Sequence, residues 1–226
     1  EPPGVCSPVH LTKNFLMVEG NEDLRIIPYF LENRRIKWPA SPNHPVIIKQ
    51  YGGKEEVLKS GNISAEYKSN DNLGIIIDAD DDVKDSWKSV KGTLKKIFTA
   101  QSFTLSPSGL IYKDAQENKK FGVWIMPDNQ ERGMMETFLS FLVPDEQKDT
   151  VWKHTKDATQ QAKQKGASFK ECHIDKANIH AWLAWQDPPA QTMHLAIEQK
   201  ILNANHPQGD VFFKWLCDLF DLSPTP

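Results

Sequence analysis

Short apolar runs recur along the chain, separated by stretches in which apolar residues return at helical spacing. Asn14 to Val18 (NFLMV), Val46 to Tyr51 (VIIKQY), Leu73 with Ile75 to Ile77, and Phe121 to Met126 (FGVWIM) lack strict in-and-out alternation. That pattern predicts strands buried on both faces, as inside a parallel sheet. Between them, a helix is expected over Glu22 to Ile36, bent at Pro28, and a second near Lys54 after the turn at Gly52-Gly53. Trp87, Val90, Leu94, Ile97 and Phe98 place a third between Lys84 and Gln101. Ser106 to Lys120 reads as turns with a short hairpin. A fourth helix carries Met134, Met135, Phe138, Leu139 and Leu142. Strand and helix in alternation predict an α/β fold with helices on both faces of the sheet and right-handed crossovers.

From Pro144 onward the strand signal stops. Helices are expected over Asp149 to Gly166, over Lys176 to Gln186 (Ile179, Trp182, Leu183, Trp185) before Pro188-Pro189, and over Val211 to Leu222. The expected organisation is a flexible arm over residues 1–13, an α/β domain over 14–143, and a helical extension over 144–226 packed on it. There is no internal repeat and no low-complexity tract.

Composition narrows the partners. The 226 residues include 30 acidic and 27 basic side chains, a net charge of -3, so there is no global basic field for nucleic acid. Such a contact requires a local patch, for which Lys49, Lys54, Lys84, Lys88, Lys91 and Lys95 are the candidates flanking the acids. Cys6, Cys172 and Cys217 are odd in number and far apart, which argues against a disulfide framework and suits a reducing compartment. No apolar run reaches the length of a spanning helix and no signal pattern opens the sequence. A soluble, cytoplasmic protein without membrane contact is expected.

The stretch LGIIIDADDD, Leu73 to Asp82, carries the strongest chemical signal. In an extended chain Asp78, Asp80 and Asp82 project to one side and Asp81 to the other. Carboxylates crowded at the mouth of a dry sheet repel one another, and a hard divalent cation such as Mg²⁺ relieves that repulsion. One or two of these acids would serve equally at a helix N-terminus; four exceed that need. In an open parallel sheet the ligand crevice lies beyond the carboxyl ends of the strands. Glu19 closes the first strand, Asp23 stands four residues on, and Asp128 closes the fourth. Glu136, in the first turn of a helix, is a further candidate ligand whose position the helix dipole also explains. Lys176 could steady a leaving oxygen, although a solvated helix residue beside His180 is the plainer reading. Cys172-His173 with His180 and His194 lacks zinc-ligand spacing. Neither a G-x-S-x-G elbow nor a G-x-x-x-x-G-K phosphate loop is present. A phosphatase or sugar-nucleotide enzyme using paired aspartates on a metal stays open.

VEGNED at Val18 to Asp23 and IIIDADDD at Ile75 to Asp82 resemble the Toprim domain of topoisomerases, primases and overcoming-lysogenization-defect (OLD) nucleases. FGVWIMPDN with GMMETFL, and then KANIHAWLAWQDPP, resemble segments of an uncharacterised prokaryotic Toprim-related family, so the likeness spans most of the chain. The resemblance implies a Toprim-like (Rossmann-like) four-stranded parallel sheet of order 2-1-3-4, with Mg²⁺, or Mn²⁺ in its place, at the acidic crevice. It implies phosphodiester chemistry on nucleic acid. Glu19 would be the general acid/base or a ligand, Asp78 and Asp80 catalytic metal ligands, and Asp23 a ligand as in the nuclease branch, with Asp82 and Glu136 completing the acidic set. A separate partner ATPase is expected, as in similar nucleases. The alternative is a catalytically degenerate acidic-pocket module that binds or regulates. No tyrosine is placed for a covalent DNA link, so strand passage is not implied.

Overall fold

A computed structural model describes residues 12–226. Most of the arm expected over residues 1–13, Cys6 included, lies outside the described residues. Five strands form one sheet: β1 (Asn14–Val18), β2 (Ile47–Gln50), β3 (Asn72–Asp78), β4 (Leu110–Asp114) and β5 (Lys119–Met126), in the order β2-β1-β3-β5-β4. Neighbours are parallel except β4, which pairs antiparallel with β5. The sheet therefore has five strands where four were expected. The added edge strand is the first arm of the hairpin signalled within Ser106 to Lys120, and its residues are mostly half-buried.

Ten helices surround the sheet among the described residues. In chain order they are α1 (Asn21–Asn33), α2 (Lys54–Val57), α3 (Ser60–Ser69), α4 (Val83–Ile97) and α5 (Met135–Phe141), then α6 (Asp145–Gln147), α7 (Lys153–Gln164), α8 (Ile174–Leu183), α9 (Met193–Glu198) and α10 (Asp210–Phe220). Three differ from expectation. α1 ends at Asn33 and retains Pro28 in its interior. The helix expected from Asp149 begins instead as a short α6 and a widened π turn over Lys148–Trp152, continuing into α7. α9 has no clear sequence signal because only Met193, Ala196 and Ile197 of its six residues are buried.

Both sheet faces are covered, which is why the central positions of β1, β3 and β5 are apolar without alternation. On one face Met17, Ile75, Ile77, Val123 and Ile125 meet Val57, Ile63, Val90 and Leu94 from α2, α3 and α4. On the other, Leu16, Val18, Ile76 and Trp124 meet α1 and α5 and the later helices, through Phe30, Phe138, Trp182, Ile197, Phe212 and Leu216. The chain after residue 143 thus shares a single apolar core with α1 and β1. α10 lies closest: a Cβ on Gly74 would come within 2.8 Å of Leu16 and 2.9 Å of Phe220, and one on Gly122 within 2.7 Å of Leu219. These two glycines face each other across β3 and β5. Arg34, only 8% exposed, fastens α1 to the carboxyl end. It donates to Ala204 O (2.5 Å), His206 O (3.0 Å) and Asp210 Oδ1 (2.7 Å), while its guanidinium lies over Phe30 and Phe213. No helix among the described residues is long and apolar enough to cross a membrane.

Candidate functional site

The carboxyl ends of β1 and β3 and the start of α5 deliver acids to one crevice. β1 stops at Val18, and Glu19 turns its side chain towards the neighbouring strand, where Oε1 accepts the Asp78 N–H at 2.8 Å. Its carbonyl accepts the amides of Gly52 and Gly53 (both 3.0 Å), so the end of β2 is tied to the same point. Asp23 stands at the third position of α1 and its Oδ2 accepts the Gly20 N–H at 2.9 Å, closing the helix start. That bond is a sufficient structural role for an acid, yet Asp23 is only 7% exposed. Asp78 ends β3, and its Oδ1 accepts the Met135 N–H at 3.2 Å where α5 begins. Glu136, 5% exposed, receives Lys176 Nζ from α8 at 2.6 Å.

Proximity and burial show in the protonation of these groups. Burial pushes Asp78 well above the usual carboxylate range, and Asp23, Glu19, Glu136 and Asp80 push it further. Asp23 is raised to about 7, chiefly by burial, with repulsion from Glu19 and Glu136 added. Glu19 is raised by burial, opposed by its bond from the Asp78 amide and by Lys54. The Lys176 ammonium is held protonated above its ordinary range by its bond to Glu136. Four carboxylates from distant parts of the chain therefore share one poorly hydrated space.

Asp80 stands at the rim. It is exposed and adopts a left-handed backbone, φ 55°, a conformation that costs a non-glycine residue about 1–2 kcal/mol. A pair of hydrogen bonds holds it there: Asp80 N to Gly133 O and Gly133 N to Asp80 O, both 2.9 Å. Lys54 Nζ reaches its carboxylate and also the Ser86 hydroxyl (3.1 Å), which itself donates to Ala79 O at 3.0 Å. Lys54 and Ser86 were not singled out as members of the acidic site. Lys54 was expected only as part of the basic patch flanking the acids, not as a partner of Asp80.

Asp82 lines the open hollow at this rim together with Lys54, Asp80 and Ser86. Asp82 caps α4, accepting the Lys84 N–H at 2.6 Å, and is exposed. Asp128 folds back on its own loop, accepting from Gln130 N (3.0 Å) and Glu131 N (2.8 Å). His180 is exposed on α8. Of the expected basic patch, Lys49 pairs with Glu66 at 3.6 Å and lies over the Tyr51 ring, and Lys54 is held by Asp80.

The donor chemistry of the crevice, buried carboxylate oxygens that repel one another, fits a hard divalent ion. As the side chains stand, no three acidic, His or Cys groups among the described residues gather around one point. Uptake of an ion therefore requires them to rearrange.

Comparison with known proteins places the chain in a family. No curated protein matches it. Two solved structures of the C-terminal region of the Xanthomonas campestris pv. campestris OLD protein align with it. The one phased with mercury shares 12% identity over 92% of this chain and 86% of that chain, with a TM-score of 0.36. The one phased with iodine shares 13% identity over 91% and 84%, with a TM-score of 0.37. The description of DUF3226, a protein of unknown function, matches residues 13–221, and the chain belongs to that family.

Proposed function

We propose that this chain is a Mg²⁺-dependent, Toprim-like nuclease or related phosphotransferase acting on nucleic acid phosphodiesters. One observation carries the reading: Asp78 sits in a crevice where burial and the nearby Asp23, Glu19 and Glu136 each oppose its charge. Such crowding destabilises a fold, and a bound cation removes the cost. Glu19, Asp23, Asp78, Asp80 and Glu136 would hold the ion; Asp82, as a helix cap, is left out. When bound, Mg²⁺ would polarise a phosphoryl oxygen and lower the pKa of a bound water. Glu19, its carboxyl raised above the ordinary range by burial, is the group suited to take up or return a proton. Lys176, held protonated beside Glu136, can balance charge on a leaving oxygen. These residues contain no ATP phosphate loop, so any ATP-driven step would need an ATPase outside them, such as a partner.

The test is nicking of supercoiled plasmid with Mg²⁺ or Mn²⁺. Cutting that depends on the ion and is lost in Asp78→Ala, with the circular dichroism spectrum unchanged, is expected. Cutting that survives Asp78→Ala, or no cutting with either ion, would overturn the reading. A second reading, an acidic-pocket binding or regulatory module, is favoured by Lys54 on Asp80 and Lys176 on Glu136, which already neutralise two of the acids. It predicts calorimetric Mg²⁺ uptake without any cleavage.

A further inference from the structure

α4 starts at the acidic crevice and runs away from it. Its cap is Asp82 and its fourth residue, Ser86, is bonded to Ala79 and Lys54. Lys84, Lys88, Lys91 and Lys95 are all exposed on this helix. At 100° per residue they fall within an arc of about 60°, a single row about 16 Å long. Among the described residues none of the four is paired with an acid, and what sets them apart from other unpaired lysines such as Lys153, Lys165 and Lys170 is their alignment in one row that starts at the crevice.

Helix stability does not account for this row. Lys84 lies in the first turn, where the helix dipole disfavours a cation, and the successive spacings of four, three and four set like charges beside one another. A face shaped only for solubility would interleave acids there. The row instead presents a line of positive charge beginning at the crevice. Lysines are point-charge donors suited to phosphate oxygens, and no Arg, Asn or Gln stands in α4 to read base edges. The apolar side of α4, Val90 and Leu94, is buried against the sheet, so the helix has no apolar face free to enter a bilayer.

We propose that α4 is a track for one strand of a nucleic acid, with Lys84, Lys88, Lys91 and Lys95 neutralising successive phosphates as the strand leaves the acidic crevice. This rests on the proposed nucleic-acid function and adds the binding surface, the polarity of the path and its indifference to sequence.

The experiment measures binding rather than cutting. A short fluorescein-labelled single-stranded oligonucleotide of mixed sequence is titrated in EDTA, over roughly 50–200 mM salt. For single strands each neutralised phosphate contributes about 0.7 to the slope of log affinity against log salt. Replacing three lysines together (Lys88→Gln, Lys91→Gln, Lys95→Gln) should lower the slope by about 2, so that wild-type affinity falls roughly 20-fold more than the variant's across that range. The control replaces three exposed lysines elsewhere (Lys153→Gln, Lys165→Gln, Lys170→Gln) and should leave the slope unchanged. An unchanged slope in the α4 variant overturns the proposal. So does an equal loss in the control, absence of wild-type binding, or binding to anionic phosphatidylserine vesicles in preference to the oligonucleotide. Normal oligonucleotide binding without metal-dependent cutting counts against the nuclease reading alone.

Discussion

Asp23→Asn should stabilise the metal-free protein, and should do so in a pH-dependent way. The carboxyl group ionises at 3.8 in an ordinary setting and at about 7 in the folded crevice, where burial and then Glu19 and Glu136 oppose its charge. Between those values the unfolded chain has released the proton and the folded chain has kept it, so rising pH favours unfolding; above about 7 the penalty is complete. At about 1.4 kcal/mol per pH unit it approaches roughly 4 kcal/mol at pH 8 and roughly 1.5 kcal/mol at pH 5. Asparagine cannot ionise, and its side-chain carbonyl can still accept the Gly20 N–H that closes α1. Its amide adds a donor among carboxylates. Urea unfolding in EDTA, followed through the buried Trp124, Trp182 and Trp215, reads the difference. The variant should be more stable than wild type at both pH values, with the gap about 2–3 kcal/mol larger at pH 8 than at pH 5. Coupling to Asp78 spreads the transition over a wider pH range without reversing its sign. An identical gap at the two pH values, or a variant less stable at pH 8, would refute the electrostatic reading of the crevice.

Three further substitutions test the frame that holds the site. Gly133→Ala drives a Cβ into the Thr137 side chain on a backbone at φ 135°. It should cost at least about 1–3 kcal/mol and lower the melting temperature, unless the Asp80–Gly133 bridge is not formed. Arg34→Ala strands the carbonyls of Ala204 and His206 and removes two ring contacts. A loss of about 3–5 kcal/mol in urea unfolding is expected, and a loss below about 1 kcal/mol would show that α1 and the carboxyl end are fastened by other contacts. Gly122→Ala drives a Cβ to 2.7 Å from Leu219. It should destabilise by about 1–3 kcal/mol and speed amide exchange in α10, and unchanged exchange would show that the helix tolerates a wider seat.

The elements legible in the sequence were those whose residues are buried on all sides. β1, β3 and β5 stood out because both sheet faces are covered, so their central positions run apolar without alternation, with polar residues only at the ends. β4 was visible only as part of a hairpin because it lies on an edge and is half-buried. α9 was invisible because it is short and offers only a narrow apolar side to α1. In the crevice, Glu19 and Asp78 were conspicuous because each follows an apolar run directly. Asp82 and Asp128 stand a few residues beyond the runs and cap a helix and a loop, since an acid after a strand serves a turn as readily as a ligand. The attachment of Lys54 to Asp80 depends on the pairing of β1 with β2 and of β1 with β3, which no local pattern encodes.

The pairing of Lys176 with Glu136 has a consequence for how the protein comes into being. Synthesis runs from the amino end, so Glu19, Asp23, Asp78 and Glu136 all emerge before the lysine on α8 that answers them. A ribosome paused between β5 and α8 would carry an acidic hollow with its deepest charge unopposed and one flank of α1 uncovered. Charge balance at Glu136 is therefore deferred until α8 has been made, and a chain cut short before it would keep that carboxylate without its cation.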